Sequence, residues 1–295
     1  MSWFILILIS VIFASLVNIF DKFFIGKKIK NVYSFAFLVN LFMFFYVFGT
    51  ALILRKSFVF DQSTIFSIFS GLSFFFTWVF WWKAIDKVEI SRLVAIASVQ
   101  PVINAFLAVI FLNETISFNK WLAIILIVIG AVLCTWENKK STGFNKAYLL
   151  VLMATCFGAV GNILAKFATT NTHSLVVNST AFFATFPLFF VMLRSKEVRS
   201  EVKKNLSHFN SFILLFFRSI IGYTAICFYM LAVGAGPISF VSAINSSGPL
   251  FVFIFSTLLS IFWPKIIKEE LSKEILLAKT VAIIMIVVGV IVISI

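Results

Sequence analysis

The stretch KWLAIILIVIGAVL at residues 120–133 decides the fold, because it returns at residues 279–292 as KTVAIIMIVVGVIV. Two other stretches recur in the same order: NIFDKF (18–23) returns as NILAKF (162–167), and EISRLVAIASVQP (89–101) returns as PISFVSAINSSGP (237–249). The offset between the copies grows from 144 to 148 to 159 residues, since a longer loop, WPKIIKEELSKE, precedes the last copy. The chain is therefore predicted to contain an internal repeat.

The composition places both copies in a membrane. The chain has 295 residues, of which 62% are hydrophobic and 12% charged, whereas a soluble domain carries about 25% charged residues. Ten apolar runs are long enough to cross a hydrocarbon core of about 30 Å, and they lie at residues 2–20, 32–54, 63–84, 91–112, 118–136, 147–169, 174–193, 212–233, 238–262 and 275–295. The first run lacks the basic region and cleavage site of a signal peptide, so it is interpreted as a span. An all-α polytopic membrane protein is predicted.

Each copy of the repeat contains five of these ten transmembrane helices. Because five is odd, the second copy must enter the membrane in the opposite direction to the first. The predicted architecture is two inverted five-helix repeats, at residues 1–140 and 141–295, joined by the polar stretch ENKKSTGFNK at 137–146. Inverted repeats are typical of secondary transporters, whose substrate site lies near the bilayer midplane between the halves.

Three stretches resemble the drug/metabolite transporter superfamily, specifically its EamA-like family. FLNETISFNKWLAIILIVIGAVL closes the first half, while WWKAIDKVEISRLVAIASVQP and FYMLAVGAGPISFVSAINSSGP resemble the junction of the third and fourth spans in each half. The resemblance covers nearly the whole chain, although KEELSKE departs from the family's compact Glu turn in the second copy. It implies a secondary transporter that uses no ATP and moves a small organic metabolite by alternating access, as an exporter or permease.

The resemblance leaves the substrate open. An anionic or zwitterionic substrate such as an amino acid is one expectation, and a translocator of lipid-linked or nucleotide-linked sugars, or a scramblase-like protein, is the alternative. An intramembrane enzyme is a weaker hypothesis, because no span carries an HExxH pair, clustered acids or a Ser–His arrangement. We predict no catalytic activity, no cofactor and no metal site. The expected partners are a small-molecule substrate and the lipid bilayer, with the chain a monomer or homodimer.

The basic residues are distributed unevenly among the connections. Those after odd-numbered spans hold 18 of the 24 Lys and Arg, and those after even-numbered spans hold four. Basic loops beside apolar spans address lipid headgroups, so the net charge of +13 is not taken to indicate nucleic acid. The positive-inside rule places both termini outside the cell, whereas the family resemblance implies that both are cytoplasmic. An integral protein of the plasma membrane is predicted, with either orientation.

Arg218 is the first candidate for the site, because it lies within the apolar stretch FILLFFRSIIGYT at 212–224. It stands about 9 Å inside its span, where a cation in hydrocarbon is costly. Its side chain either reaches back to the interface or lines a polar cavity, where a guanidinium suits a carboxylate or phosphate. The offset of 148 places Ser70 at the equivalent position. Asp21 is the carboxylate that the first span could immerse, and it is the candidate for proton coupling.

The other candidates are polar and aromatic residues inside the spans. The predicted cavity and substrate-binding set is Asn18, Lys22, Trp78, Ser98, Gln100, Asn162, Lys166, Arg218, Tyr223, Asn245 and Ser246. Interface anchoring is the alternative for the two lysines, and close helix packing is the alternative for the serines. Pro101 and Pro249 remove backbone hydrogen bonds from equivalent spans and are the predicted helix hinges.

Overall fold

The computed structural model describes residues 2–27, 29–54, 61–85, 93, 96–134, 146–262 and 273–295, and every regular element within them is a helix. A 3-10 turn at Phe190–Arg194 continues α7. The α-helices in chain order are α1 Trp3–Lys27, α2 Val32–Leu54, α3 Gln62–Ile85, α4 Gln100–Leu112, α5 Phe118–Cys134, α6 Lys146–Thr169, α7 Ser174–Phe189, α8 Lys196–Ser207, α9 Phe209–Ala235, α10 Ile238–Asn245, α11 Gly248–Phe262 and α12 Lys273–Ser294.

Seven stretches of the described helices are long and apolar enough to cross a membrane. They coincide with the predicted spans one, two, three, six, seven, eight and nine. Three shorter apolar helices stand where the fourth, fifth and tenth spans are predicted, at Gln100–Leu112, Phe118–Leu133 and Thr280–Ser294. The prediction of an all-helical membrane fold is confirmed.

The polar connection before α9 contains a helix, α8, that the span prediction assigns to a loop. Val198, Val202 and Asn205 are buried on one side of α8, and both valines belong to the apolar cluster between α2, α7 and α9. The remaining positions are mostly exposed. Apolar residues at a spacing of three to four in a charged stretch are the pattern of an amphipathic helix, and the sequence analysis missed it because the span search considered only long apolar runs.

The predicted fourth and ninth spans are both interrupted immediately before a proline. α4 and α11 each begin one residue before Pro101 or Pro249, and a two-residue turn precedes each helix, at 98–99 and 246–247. A proline in the first helical turn removes no intrahelical hydrogen bond, because the amide there has no partner in any case. The backbone at Val99 and Ser246 keeps right-handed helical angles, so each proline stands at a local interruption of the helix rather than at a complete break.

Serine hydroxyls bond the carbonyl groups at the break between α10 and α11. The Ser247 hydroxyl donates to the carbonyl of Ile244 at 2.6 Å. From α1, the Ser15 hydroxyl donates to the carbonyl of Gly248 at 3.2 Å. The Ile244 carbonyl also accepts from the backbone amide of Ser247 at 2.9 Å, and the Ser15 hydroxyl makes a shorter bond of 2.7 Å to the carbonyl of Val11, so these hydroxyls supplement backbone bonds that are already made at the turn.

α5 and α12 pack closely through one glycine on each helix. A Cβ atom on Gly130 would lie 2.9 Å from the carbonyl oxygen of Ala282, and one on Gly289 would lie 2.9 Å from that of Ala123. As residue numbers rise along α5 from 123 to 130, those of the partners fall along α12 from 289 to 282. The two helices therefore run in opposite directions.

α1 and α9 form a second antiparallel pair. The Ser10 hydroxyl donates to the carbonyl of Ala225 at 2.8 Å. Seven residues further along α1, Val17 lies 3.6 Å from the position that a Cβ on Gly222 would take. Later residues of α1 therefore contact earlier residues of α9, so the two helices run in opposite directions.

α3 and α6 form a third antiparallel pair with small residues at the contact. The Ser70 hydroxyl donates to the carbonyl of Gly161 at 2.8 Å. A Cβ on Gly161 would lie 3.2 Å from the Phe74 ring, and one on Gly158 would lie 3.6 Å from Thr77. The absence of side chains on both glycines is what allows α3 to approach α6 this closely.

The glycine contact between α5 and α12 gives a prediction for stability. Gly130→Ala and Gly289→Ala should each lower the free energy of unfolding by about 1–3 kcal/mol, because the added methyl group meets a backbone carbonyl of the facing helix. The measurement is thermal or denaturant unfolding of the purified protein in detergent.

Gly49→Ala is the matched control, because a Cβ on Gly49 of α2 meets no atom within 4 Å. That substitution should leave stability unchanged or raise it by up to about 1 kcal/mol, through helix propensity alone. Equal effects of the three substitutions would contradict the close crossing of α5 and α12.

Candidate functional site

Arg218 forms a two-point ion pair with Asp21 of α1. Its Nε donates to Oδ1 and its Nη2 donates to Oδ2, each at 2.7 Å. Arg218 is only 7% exposed. Parallel hydrogen bonds from a guanidinium to a carboxylate are the geometry in which a charged pair is most stable, and removal from water makes such pairing necessary. The pair ties the end of α1 to the beginning of α9.

One edge of the guanidinium remains unbonded. Its Nη1 is buried and has no hydrogen-bond partner among the described residues, while its Cζ lies 5.5 Å from the centre of the Phe35 ring. Gly222, one turn further along α9, leaves this edge clear, since a Cβ there would lie 3.2 Å from Nη1. Two donors of Arg218 are thus engaged by Asp21, and the Nη1 group is available to a further oxygen ligand.

α9 makes further polar contacts with other helices along its length. Tyr223 shares a hydrogen bond of 2.5 Å with Thr50 of α2, and the Tyr229 hydroxyl donates to Oδ1 of Asn162 in α6 at 2.8 Å. These contacts and the ion pair extend over about 17 Å of helix. Tyr223 and Asn162 are buried, at 6% and 3% exposed, whereas Asp21, at the end of this column of polar contacts, is 24% exposed.

The junction between α9 and α10 is held by two charged side chains. The Lys166 ammonium donates to the carbonyls of Val233 and Gly236, each at 2.8 Å, at the end of α9. The Glu114 carboxylate accepts from the amides of Ile238 and Ser239 at 2.7 and 3.3 Å, at the start of α10. A cation at a helix C-terminus and an anion at an N-terminus both complement the helix dipole.

These bonds differ from both roles predicted for Lys166, which are substrate binding and anchoring at the interface. Its ammonium bonds backbone carbonyls within the protein, so a role in substrate binding would require it to leave them. Glu114 is the acid of the LNET turn after the fourth span. It connects the end of the first half of the chain to the ninth span in the second half.

Four further candidate residues lie at the two helix breaks. Ser98 is buried in the turn before α4, and the Gln100 amide lies against α6, where a Cβ on Gly158 would be 2.6 Å from its Nε2. At the other break, Asn245 is exposed and Ser246 is half-buried. Their equivalent placement keeps all four as predictions for a site between the halves.

The remaining candidates are Asn18, Trp78 and Lys22. Asn18 is exposed on α1. Trp78 is 49% exposed and stacks on Trp82, with 5.9 Å between the ring centres. Lys22 lies on α1, but its side chain is outside the described residues. A role in substrate binding stays a prediction for these three residues.

Comparisons with known proteins agree with this architecture. The model of the EamA-like transporter family matches residues 1–136, which confirms the predicted resemblance over the first half of the chain. A solved structure titled only "Crystal structure of protein" superposes with a TM-score of 0.73 at 14% identity, over 98% of this chain and 95% of its own. An identity of 14% supports the fold alone. No curated protein matches the chain.

The ion pair gives a second prediction for stability. Asp21→Asn and Arg218→Gln should each destabilise the protein by about 3 kcal/mol, at the lower end of the range for a buried pair because Asp21 keeps some exposure. The double variant Asp21→Asn/Arg218→Gln should lose much less than the sum, since it leaves no unpaired charge. Unfolding of all four proteins in detergent completes a double-mutant cycle.

Lys146→Gln, at an exposed position at the start of α6, controls for the loss of one positive charge and should change stability by less than about 0.5 kcal/mol. Additive effects of Asp21→Asn and Arg218→Gln would mean that the two side chains do not interact, and that Arg218 reaches the interface alone.

Proposed function

Because residues 1–136 belong to the EamA-like transporter family, we propose that the chain is a secondary transporter of a small organic metabolite. It consists of two inverted five-helix halves that open a shared site to one side of the membrane at a time. The observation that carries this proposal is that helix contacts recur between equivalent positions of the two halves, at the offsets of the sequence repeat.

The α5–α12 contact is the simplest example of this equivalence. Adding the repeat offset of 159 to Ala123 and Gly130 gives Ala282 and Gly289, and each glycine faces the alanine of the other helix. The contact is therefore unchanged when the halves are exchanged. Antiparallel helices related in this way fit a two-fold axis in the membrane plane, which is the symmetry of inverted repeats.

The α1–α9 and α3–α6 contacts are exchanged by the same operation. Offsets of 144 and 148 convert the contact of Val17 with Gly222 into that of Gly161 with Phe74. Each contact has one glycine and one larger side chain, with the two roles reversed between the helices. The breaks before Pro101 and Pro249 correspond in the same way.

The ion pair and its equivalent positions in the other half lie towards opposite faces of the membrane. The ion pair joins the end of α1 to the beginning of α9, whereas the equivalent positions, Ala165 and Ser70, lie towards the end of α6 and the beginning of α3. Because α2 crosses the membrane between the end of α1 and the start of α3, these two places belong to opposite membrane faces. Opening one while keeping the other closed is alternating access, with the breaks at Pro101 and Pro249 as hinges.

The chemistry of the two contacts differs and favours an anionic or zwitterionic substrate. The positions equivalent to Asp21 and Arg218 are Ala165 and Ser70, so only one of the two contacts carries charge. A substrate carboxylate can bind the free Nη1 of Arg218 and compete with Asp21 for the guanidinium. An amino acid fits this proposal, and protonation of the released Asp21 would couple transport to protons.

Equivalent disulfide locks test alternating access. In a cysteine-free background, Val17→Cys/Gly222→Cys should hold α1 against α9, and its counterpart Gly161→Cys/Phe74→Cys should hold α3 against α6. The measurement is uptake of radiolabelled amino acids by proteoliposomes before oxidation, after oxidation, and after reduction. Each lock should reduce uptake at least ten-fold, and reduction should restore it.

The four corresponding single-cysteine variants, Val17→Cys, Gly222→Cys, Gly161→Cys and Phe74→Cys, are the controls, because oxidation cannot form a disulfide within a chain that has one cysteine. They should transport at the rate of the cysteine-free protein. Full transport with either disulfide formed would contradict alternating access. If the protein transports another substrate but not amino acids, and the disulfides block that transport reversibly, the substrate class changes and the mechanism is retained.

A further inference from the structure

We propose that α8 and the groove beside it form a binding site for an anionic phospholipid. The groove has a volume of about 300 Å³ and opens between α2, α8 and α9. Its walls are aliphatic and aromatic side chains, namely Leu41, Phe42, Phe45, Tyr46, Leu206, Phe212 and Phe216. Such a groove within the membrane suits a hydrocarbon chain, and the charges beside it indicate which lipid carries that chain.

A basic stripe on α8 leads to this groove. Lys196, Arg199, Lys203 and Leu206 follow one another at spacings of three, four and three residues, which places them along one face of the helix. All four are exposed. Because Leu206 lines the groove, Lys203 lies one turn away from its mouth and Arg199 lies about two turns away.

The acidic residues of α8 do not neutralise this stripe. The Glu201 carboxylate accepts hydrogen bonds from the backbone amides of Lys30 and Asn31 at 2.7 and 3.1 Å, so it faces the connection between α1 and α2. Glu197 precedes Glu201 by one turn and shares that flank. The buried residues Val198 and Val202 separate the acidic flank from the basic one.

The position of α8 in the chain places the stripe at lipid headgroup level. α8 ends immediately before α9, which enters the membrane, and an amphipathic helix at such a position lies in the interface with its charges outward. From Phe212 to Phe216 the groove extends about one helical turn, or 5–6 Å, into the membrane. A lipid phosphate at Arg199 and Lys203 would therefore have the first methylene groups of its acyl chain in the groove.

An anionic lipid is the occupant that this combination favours. A zwitterionic headgroup gains little from a basic cluster, whereas each Lys or Arg near the membrane surface attracts an anionic lipid appreciably. A free phosphate would use the charges and leave the apolar groove unoccupied. The proposal is independent of the transported substrate and of the alternating-access mechanism.

The test is lipid binding to the purified chain in detergent by native mass spectrometry, with phosphatidylglycerol and phosphatidylcholine of the same acyl chains. The wild-type protein should bind phosphatidylglycerol at least ten-fold more tightly. Arg199→Gln/Lys203→Gln should reduce that preference by roughly five-fold for each charge removed. Leu206→Gln, which keeps both charges, should weaken the binding of phosphatidylglycerol as well.

Lys146→Gln is the matched control, because it removes an exposed charge outside α8 and should leave the preference unchanged. Equal binding of the two lipids by the wild-type protein, or an unchanged preference in the double variant, would overturn the proposal. Competition by millimolar inorganic phosphate would also overturn it, by identifying a site for free anions. Loss of a dimer in the double variant, without loss of lipid, would identify the groove as a contact between two copies.

Discussion

The ion pair between Asp21 and Arg218 is the constraint on which the arrangement of the helices depends. A guanidinium within an apolar span has no water to solvate it, so a carboxylate on another helix must be brought to it. This requirement fixes α9 against α1. α9 then presents Tyr223 to α2 in the first half of the chain and Tyr229 to α6 in the second half.

The other helix contacts use close backbone approach instead of charge. Glycines bring α5 to α12 and α3 to α6, and in a membrane such packing replaces the hydrophobic effect that water would supply. An anion that competes for Arg218, or a proton that binds Asp21, can release the charged contact. The glycine contact has no charged group on which either could act. On the proposed function, a carrier with charge at only one of two equivalent places would respond to its substrate at one face.

The all-helical membrane fold could be predicted from the sequence, because apolar runs of spanning length recur along the chain; the inverted repeat stays a prediction. The two helix interruptions could be predicted from the prolines at matched positions, Pro101 and Pro249. The two-residue turn before each proline could not be predicted. The pairing of Arg218 with Asp21 was not predicted, and Asp21 was predicted only as a separate candidate for proton coupling. Periodicity within one helix carries no information about which residues of a neighbouring helix it contacts. The contacts of Lys166 and Glu114 with the ends of α9 and α10 could not be predicted for the same reason. α8 was not predicted because it has too few apolar residues to stand out as a long apolar run.

The central claim is that the two halves cross the membrane in opposite directions, and the most direct measurement is the sidedness of two equivalent residues. Ser2 immediately precedes α1 and Lys146 begins α6, at the repeat offset of 144, and both are exposed. Ser2→Cys and Lys146→Cys, each in a cysteine-free background, can be labelled with a membrane-impermeant maleimide in sealed vesicles of known orientation. The account predicts that one cysteine reacts only from the outside and the other only from the inside. Labelling of both from the same side would contradict it.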